Sequence, residues 1–204
     1  MVLFPDTTAA ILMGGASRRM GRDKAGLKLD GVTLVDRIHR CLVPLVAEVL
    51  LVTKADKRAR AEALAPAGAR VVVDLSDVAG PLAGLHAALV QAASARVLVV
   101  AVDMPDLEPR LLRALLADDS ADVVIPRTAH GLEPLLAVYR TTCRPAIERQ
   151  LARGPGPVSG FFPAVTVTEW PETRLREFDP ELDSFRNVNR PADLASSRPT
   201  SPNP

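Results

Sequence analysis

Hydrophobic positions along the chain fall into two alternating patterns. Strands are predicted at residues 9–12, 48–52, 70–73 and 97–102, each a short apolar run, led in two cases by a charged residue (Glu48, Arg70), with the length and β-branched content expected of buried strands. Between them the apolar positions switch to a helical period. Leu34, Val35, Ile38, Cys41, Leu42 and Leu45 recur at that spacing. Thr33, with Asp36 three residues on, predicts a capping box, and Pro44 marks the end of that helix. Residues 54–65 are charged and alanine-rich and predict a helix with a solvated outer face. Leu82, Leu85 and Leu89 form the stripe of a third helix, with Pro81 where a first turn tolerates it. Pro109 opens a fourth, carrying Leu111, Leu112, Leu115 and Leu116. Strand and helix thus alternate four times. Right-handed crossovers of that kind build an α/β doubly wound, mostly parallel sheet with helices on both faces. The run 97–102 is the most apolar and belongs at its centre.

The second half is less regular. Residues 123–125 and 135–139 predict strands around a turn at His130-Gly131, and 144–152 predict a helix. An irregular loop follows at 154–157, then an alternating strand at 164–170, with a further strand expected at 174–178. Asn189 with Pro191 starts a short last helix, and the Ser/Pro-rich residues 196–204 read as a disordered tail. A chain of 204 residues, without internal repeat or linker, suits one domain over residues 1–195. The net charge of +1 argues against nucleic-acid or anionic-membrane surfaces, so any positive field must be local. Two cysteines outside any Cys/His cluster argue against structural zinc and a disulfide framework. With no signal peptide and no membrane-length apolar run, a reducing cytoplasm is expected.

That local positive field follows the first strand. Four cations (Arg18, Arg19, Arg22, Lys24) and three glycines (Gly14, Gly15, Gly21) fall within 11 residues. Glycines let a ligand approach backbone N–H groups, and flanking cations suit a polyphosphate. The spacing fits neither the Walker loop nor the G-x-G-x-x-G dinucleotide fingerprint. In open α/β sheets ligands bind at the carboxyl edge of the strands, where Gly14-Gly15, Asp74 and Asp103 fall by this reading. Asp103, directly after the most apolar strand, is placed to hold Mg²⁺ or to cap the next turn. Asp74 is equally a turn residue. Gly80-Pro81-Leu82-Ala83-Gly84 allows close helix–strand packing, or leaves room for a flat base. Asn187 and Asn189 share one face by alternation and could present paired amides to a ligand, though Asn189 also suits an N-cap. His39, His86 and His130 show no ligand spacing, and no serine sits in a nucleophile elbow.

The stretch Leu12 to Lys24 resembles the L-x-G-G-x-x-x-R-M-G-x-x-K signature of nucleotidyltransferases, and within these the molybdenum cofactor guanylyltransferase family. Four further stretches match in order: Asp74 with Gly80 to Gly84, Val102 to Pro105, Glu133-Pro134-Leu135 to Tyr139, and Phe185 to Leu194. The resemblance implies a nucleotidyltransferase fold and a reaction that joins GTP to molybdopterin, or molybdenum-molybdopterin, releasing pyrophosphate. By position, Leu12, Met13, Gly14, Gly15, Lys24 and Thr53 would line the nucleotide, with Arg19 and Lys24 on its phosphates. Asp74, Gly80, Pro81, Leu82 and Gly84 would bear on the guanosine. Asp103 would hold Mg²⁺, and Asn187 and Asn189 would line the pterin side. Molybdoenzyme maturation proteins are implied partners. Two positions depart from the pattern. Met13 replaces the usual alanine and would narrow the base pocket, and Thr53 replaces a common nucleotide-touching asparagine, which puts one base contact in question. A related enzyme using CTP or a sugar phosphate, and a non-catalytic GTP-binding module, are the alternative readings.

Overall fold

The computed structural model describes residues 3–13, 26–74, 76, 78 and 80–188. The first half runs β1 (Phe4–Leu12), a small ribbon of β2 (Lys28–Leu29) and β3 (Val32–Thr33), α1 (Leu34–Leu42), β4 (Val46–Lys54), α2 (Arg58–Leu64), β5 (Ala69–Asp74), α3 (Pro81–Gln91), β6 (Arg96–Ala101) and α4 (Pro109–Ala117). The second half adds β7 (Val123–Thr128), β8 (Gly131–Leu132), β9 (Leu136–Arg140), α5 (Arg144–Leu151), β10 (Val167–Pro171) and α6 (Glu172–Leu175). The main sheet has the order β10-β7-β9-β6-β1-β4-β5, with β8 beside β7. Strands β5, β4, β1 and β6 are parallel. Only β9 and the short β8 oppose their neighbours in that sheet. The expected doubly wound, mostly parallel sheet is the one observed.

The period of two along β1 explains why both faces need cover. Ala9, Ile11 and Met13 join the core beneath α1, α2 and α4. Ala10 and Leu12 join the core beneath α3, α5 and a 3₁₀ stretch at Val158–Ala164. Ala9, Ala10 and Ile11 are fully buried, as befits a strand flanked on both sides. Thr33 caps α1 as expected, accepting the Asp36 N–H at 3.1 Å. Asp36 differs from a standard box in accepting the Thr33 hydroxyl at 2.6 Å.

Three local expectations need correction. Residues 174–178 are not a strand. Leu175 and Phe178, three apart, turn the same way, and Arg176 reaches back to Glu172 at 2.8 Å across the turn of α6. The strand expected from 164 begins at Val167, because Pro163 lies in the 3₁₀ stretch before it. Lys54 is not on a solvated helix but is the last residue of β4, paired with Asp74. The last helix from Asn189 and the tail at 196–204 lie outside the described residues.

Candidate functional site at the carboxyl edge of the sheet

Successive crossovers carry β4 and β5 to one side of β1 and β6 to the other, so the strand order switches between β1 and β6. A crevice opens at such a point at the carboxyl edge. There the ladder extends past the strand ends: the Met13 N–H reaches the Val52 carbonyl at 2.9 Å, and the Val102 N–H reaches the Leu12 carbonyl at 3.2 Å. Leu12, Met13, Thr53, Asp74 and Asp103 are therefore brought to one rim. Gly14, Gly15, Arg19, Lys24 and Asn189 lie outside the described residues.

On the α3 side, Asp74 is buried and already has partners. It pairs with Lys54 Nζ at 2.8 Å and accepts the Ser76 N–H at 2.9 Å. Lys54 also donates to the Ser76 carbonyl at 2.9 Å, so a single cation fastens the loop after β5. Gly80 opens α3 with φ at 128°, a conformation that side chains beyond glycine rarely adopt. Pro81 follows at the first helical position, and Leu82 is buried. A Cβ on Gly84 would stand 3.6 Å from the Leu12 side chain and 3.9 Å from Val52, ordinary contact distances. Gly84 thus faces the β1–β4 surface, which agrees with the packing reading. Thr53 is buried at the end of β4.

On the α1 side, the loop 102–108 carries a half-exposed Asp103 and is anchored at four points. The Asp103 carbonyl accepts the Val188 N–H at 2.8 Å. The Pro105 carbonyl accepts Arg37 Nε at 3.1 Å. The Asp106 carboxylate meets Arg37 Nη2 at 2.8 Å, with side chains 3% and 6% exposed. Ser184 Oγ accepts the Glu108 N–H at 2.8 Å. Ser184 is in turn held by the fully buried Asp179, which accepts the backbone N–H groups of Asp183 and Ser184 at 3.2 and 2.9 Å. Val188 packs with Leu29 and Leu34, so Asn187 is exposed immediately beside Asp103. The backbone of Val188 thus brings Asn187 next to Asp103, a neighbourhood the sequence reading did not specify. Arg37, Asp106, Asp179 and Ser184 were not foreseen. The available signal was Arg37 itself, a charge on the same helical face as Leu34 and Ile38.

Among the described residues, no group of three or more His, Cys, Asp or Glu could hold a metal ion. On this loop Asp106 is engaged with Arg37 and Glu108 accepts the Arg110 N–H, and Asp103 is the carboxylate nearest the end of β6. One carboxylate fits Mg²⁺, which completes its shell with water and phosphate oxygens. The histidines are elsewhere: His86 faces Glu148 at 3.0 Å, and burial lowers the pKa of His39.

The family model for the MobA-like NTP transferase domain matches residues 9–161. A "Probable molybdenum cofactor guanylyltransferase" of Pelotomaculum thermopropionicum is 40% identical over 192 residues, 94% of this chain and 91% of that protein. The molybdenum cofactor guanylyltransferase of Desulfosudis oleivorans is 35% identical, covering 92% of each. The crystal structure of molybdopterin-guanine dinucleotide biosynthesis protein A from Archaeoglobus fulgidus superposes with a TM-score of 0.79 at 31% identity, covering 92% of this chain and 95% of that one. With a family model over most of the sheet and relatives matched along nearly their whole length, the chain belongs to the molybdenum cofactor guanylyltransferase family of MobA-like NTP transferases.

Proposed function

We propose that the chain transfers GMP from GTP to molybdopterin or its molybdenum-loaded form, in the cytoplasm. A terminal phosphate oxygen of the pterin attacks the α-phosphorus of GTP. The bond from the α-phosphorus to the bridging oxygen breaks, and pyrophosphate leaves. The observation that supports this reading is the Val188 N–H bond to the Asp103 carbonyl, which brings the exposed Asn187 next to Asp103, as a cation ligand beside an acceptor site would require.

A phosphate monoester is already a competent nucleophile, so the protein's task is alignment and charge stabilisation. Lys24 and Arg19 would meet the phosphates. Asp103 would hold Mg²⁺, which would offset charge gathering on the departing pyrophosphate. Leu12, Met13, Thr53, Asp74 and the turn from Gly80 to Gly84 would border the nucleoside; Gly14 and Gly15 would offer backbone N–H groups. Asn187 and Asn189 would line the pterin side. The anchored 102–108 loop supports the reading, because electrostatic stabilisation works best when the charged group need not reorganise.

Pyrophosphate release from GTP, ATP and CTP, with and without molybdopterin, tests the proposal. Release from GTP alone among the three, and only with acceptor, is the expected result. Equal turnover of ATP and GTP would remove the guanine assignment, and GTP binding without any release would leave a binding module. Asp103→Asn should retain GTP and lose roughly 10²-fold or more in turnover, partly recovered by added magnesium. Full activity in that variant would sink the metal assignment, because Asn caps a turn about as well as Asp.

A further inference from the structure

The sheet parts at one place along its carboxyl edge. Strand β9 pairs with β6 as far as Leu136 opposite Val100, and one bond further the Leu135 carbonyl accepts the Ala101 N–H at 2.9 Å. On the far side of Pro134, β8 pairs with β7. The turn between β8 and β9 is fixed from behind by the buried Tyr139, whose hydroxyl donates to the Pro134 carbonyl at 2.7 Å. Glu133 stands at this parting, its N–H on the Pro126 carbonyl at 3.0 Å. Its carboxylate Oε1 accepts the Thr128 hydroxyl at 2.9 Å, and among the described residues no donor reaches Oε2.

The position along the edge matters. In the sheet order, β6, which leads into Asp103, stands between β9, which follows Glu133, and β1, β4 and β5, whose ends carry Leu12, Thr53 and Asp74. Glu133 therefore shares the rim with Asp103 and lies beyond it from the expected nucleoside residues. Partial burial pushes its carboxyl above the usual range, against the Thr128 bond and the His130 charge. A held, partly desolvated carboxylate with one open oxygen is suited to a ligand that brings N–H donors.

We propose that Glu133 is a specificity residue for the acceptor, reading the adjacent ring N–H and exocyclic amino group of its 2-amino-4-oxopyrimidine ring. Guanine carries the same donor edge, but the strand order, with Asp103 between Glu133 and the expected nucleoside residues, assigns Glu133 to the pterin. The inference rests on the acceptor named under the proposed function.

Glu133→Gln keeps the size of the side chain and replaces one acceptor oxygen with a donor that opposes the amino group. At saturating GTP, KM for molybdopterin should rise about 10- to 100-fold, the loss of one charged hydrogen bond. KM for GTP and the magnesium concentration for half activation should stay within about twofold. Thr128→Val provides a second variant that keeps the carboxylate but frees Oε1; it should raise KM for molybdopterin less, with KM for GTP unchanged. A rise in KM for GTP alone would overturn the inference in favour of base reading, and a shift in magnesium activation alone would overturn it in favour of a cation ligand. Wild-type turnover with both variants unaltered would overturn the inference and leave the proposed reaction standing. No dinucleotide from the wild-type enzyme with molybdopterin and GTP would overturn both.

Discussion

Asp106→Ala is the sharpest test of how the 102–108 loop is held. Asp106 and Arg37 meet at 2.8 Å with side chains 3% and 6% exposed, so the change strips a buried guanidinium of its carboxylate. Removing one partner of a buried pair costs about 3–5 kcal/mol, chiefly from the charge left behind. For a chain of this size each kcal/mol moves Tm by about 2–4 °C, which gives a fall of about 6–20 °C. The single tryptophan, Trp170, is buried against Phe178 and lies under the Arg174 guanidinium at 3.5 Å, so its fluorescence reports unfolding directly. Asp106→Asn should fall less, because its amide oxygen still accepts from Arg37. The double change Arg37→Met with Asp106→Leu should recover most of the loss, as apolar replacements of buried pairs often do. Below the melting range, Asp106→Ala should also turn over more slowly than wild type, because Asp103 shares the loosened loop. A Tm within about 2 °C of wild type would refute the argument that this pair braces the loop.

Gly80→Ala should lower stability by about 1–3 kcal/mol, measured by urea unfolding, because the backbone at φ 128° is strained for alanine even though nothing lies within 4 Å of the added carbon. Tyr139→Phe removes the bond to the Pro134 carbonyl and should cost about 1 kcal/mol in the same assay. Asp122 accepts the Thr166 N–H and the hydroxyls of Thr166 and Thr142, which hold its pKa below the usual carboxylate range. The sign follows: the folded state resists protonation, so this contribution is present above the unfolded value of about 3.9 and is lost as pH falls through the lower folded value. Asp122→Asn should therefore be less stable than wild type at pH 6, with a gap that narrows toward pH 3. Burial pushes the Cys143 thiol up to about 12, and it should resist thiol reagents at pH 8 until urea unfolds the chain.

The parallel strands were legible because burial on both faces writes them as apolar runs, and Asp74 and Asp103 were legible as the carboxylates that end one and closely follow another. What joins distant segments was not. Arg37 announces a buried charge, but no local pattern names Asp106, far along the chain, as its partner. Lys54 opens a charged, alanine-rich stretch, so periodicity alone gave it to the helix; the register of β4 against β5 sets it beside Asp74. At 174–178 the segment is too short for a two-residue period to exclude a turn. Glu133 was visible as part of a motif, but its place at the parting of the sheet depends on which neighbour β8 chooses.

The bond from Val188 to the Asp103 carbonyl has a consequence for biosynthesis. Chains emerge from the ribosome from the amino terminus, and their parts fold as they appear. Strands β1, β4, β5 and β6 are all available once residue 101 has emerged. The loop after β6 must wait for Asp179, Ser184 and Val188 before its anchors exist. A growing chain can thus assemble its central sheet while its rim is still slack, and a product truncated before Asp179 would keep those strands without the brace on Asp103. The brace on Asp103 is timed to the emergence of residues 179–188, well after the strands it stands on.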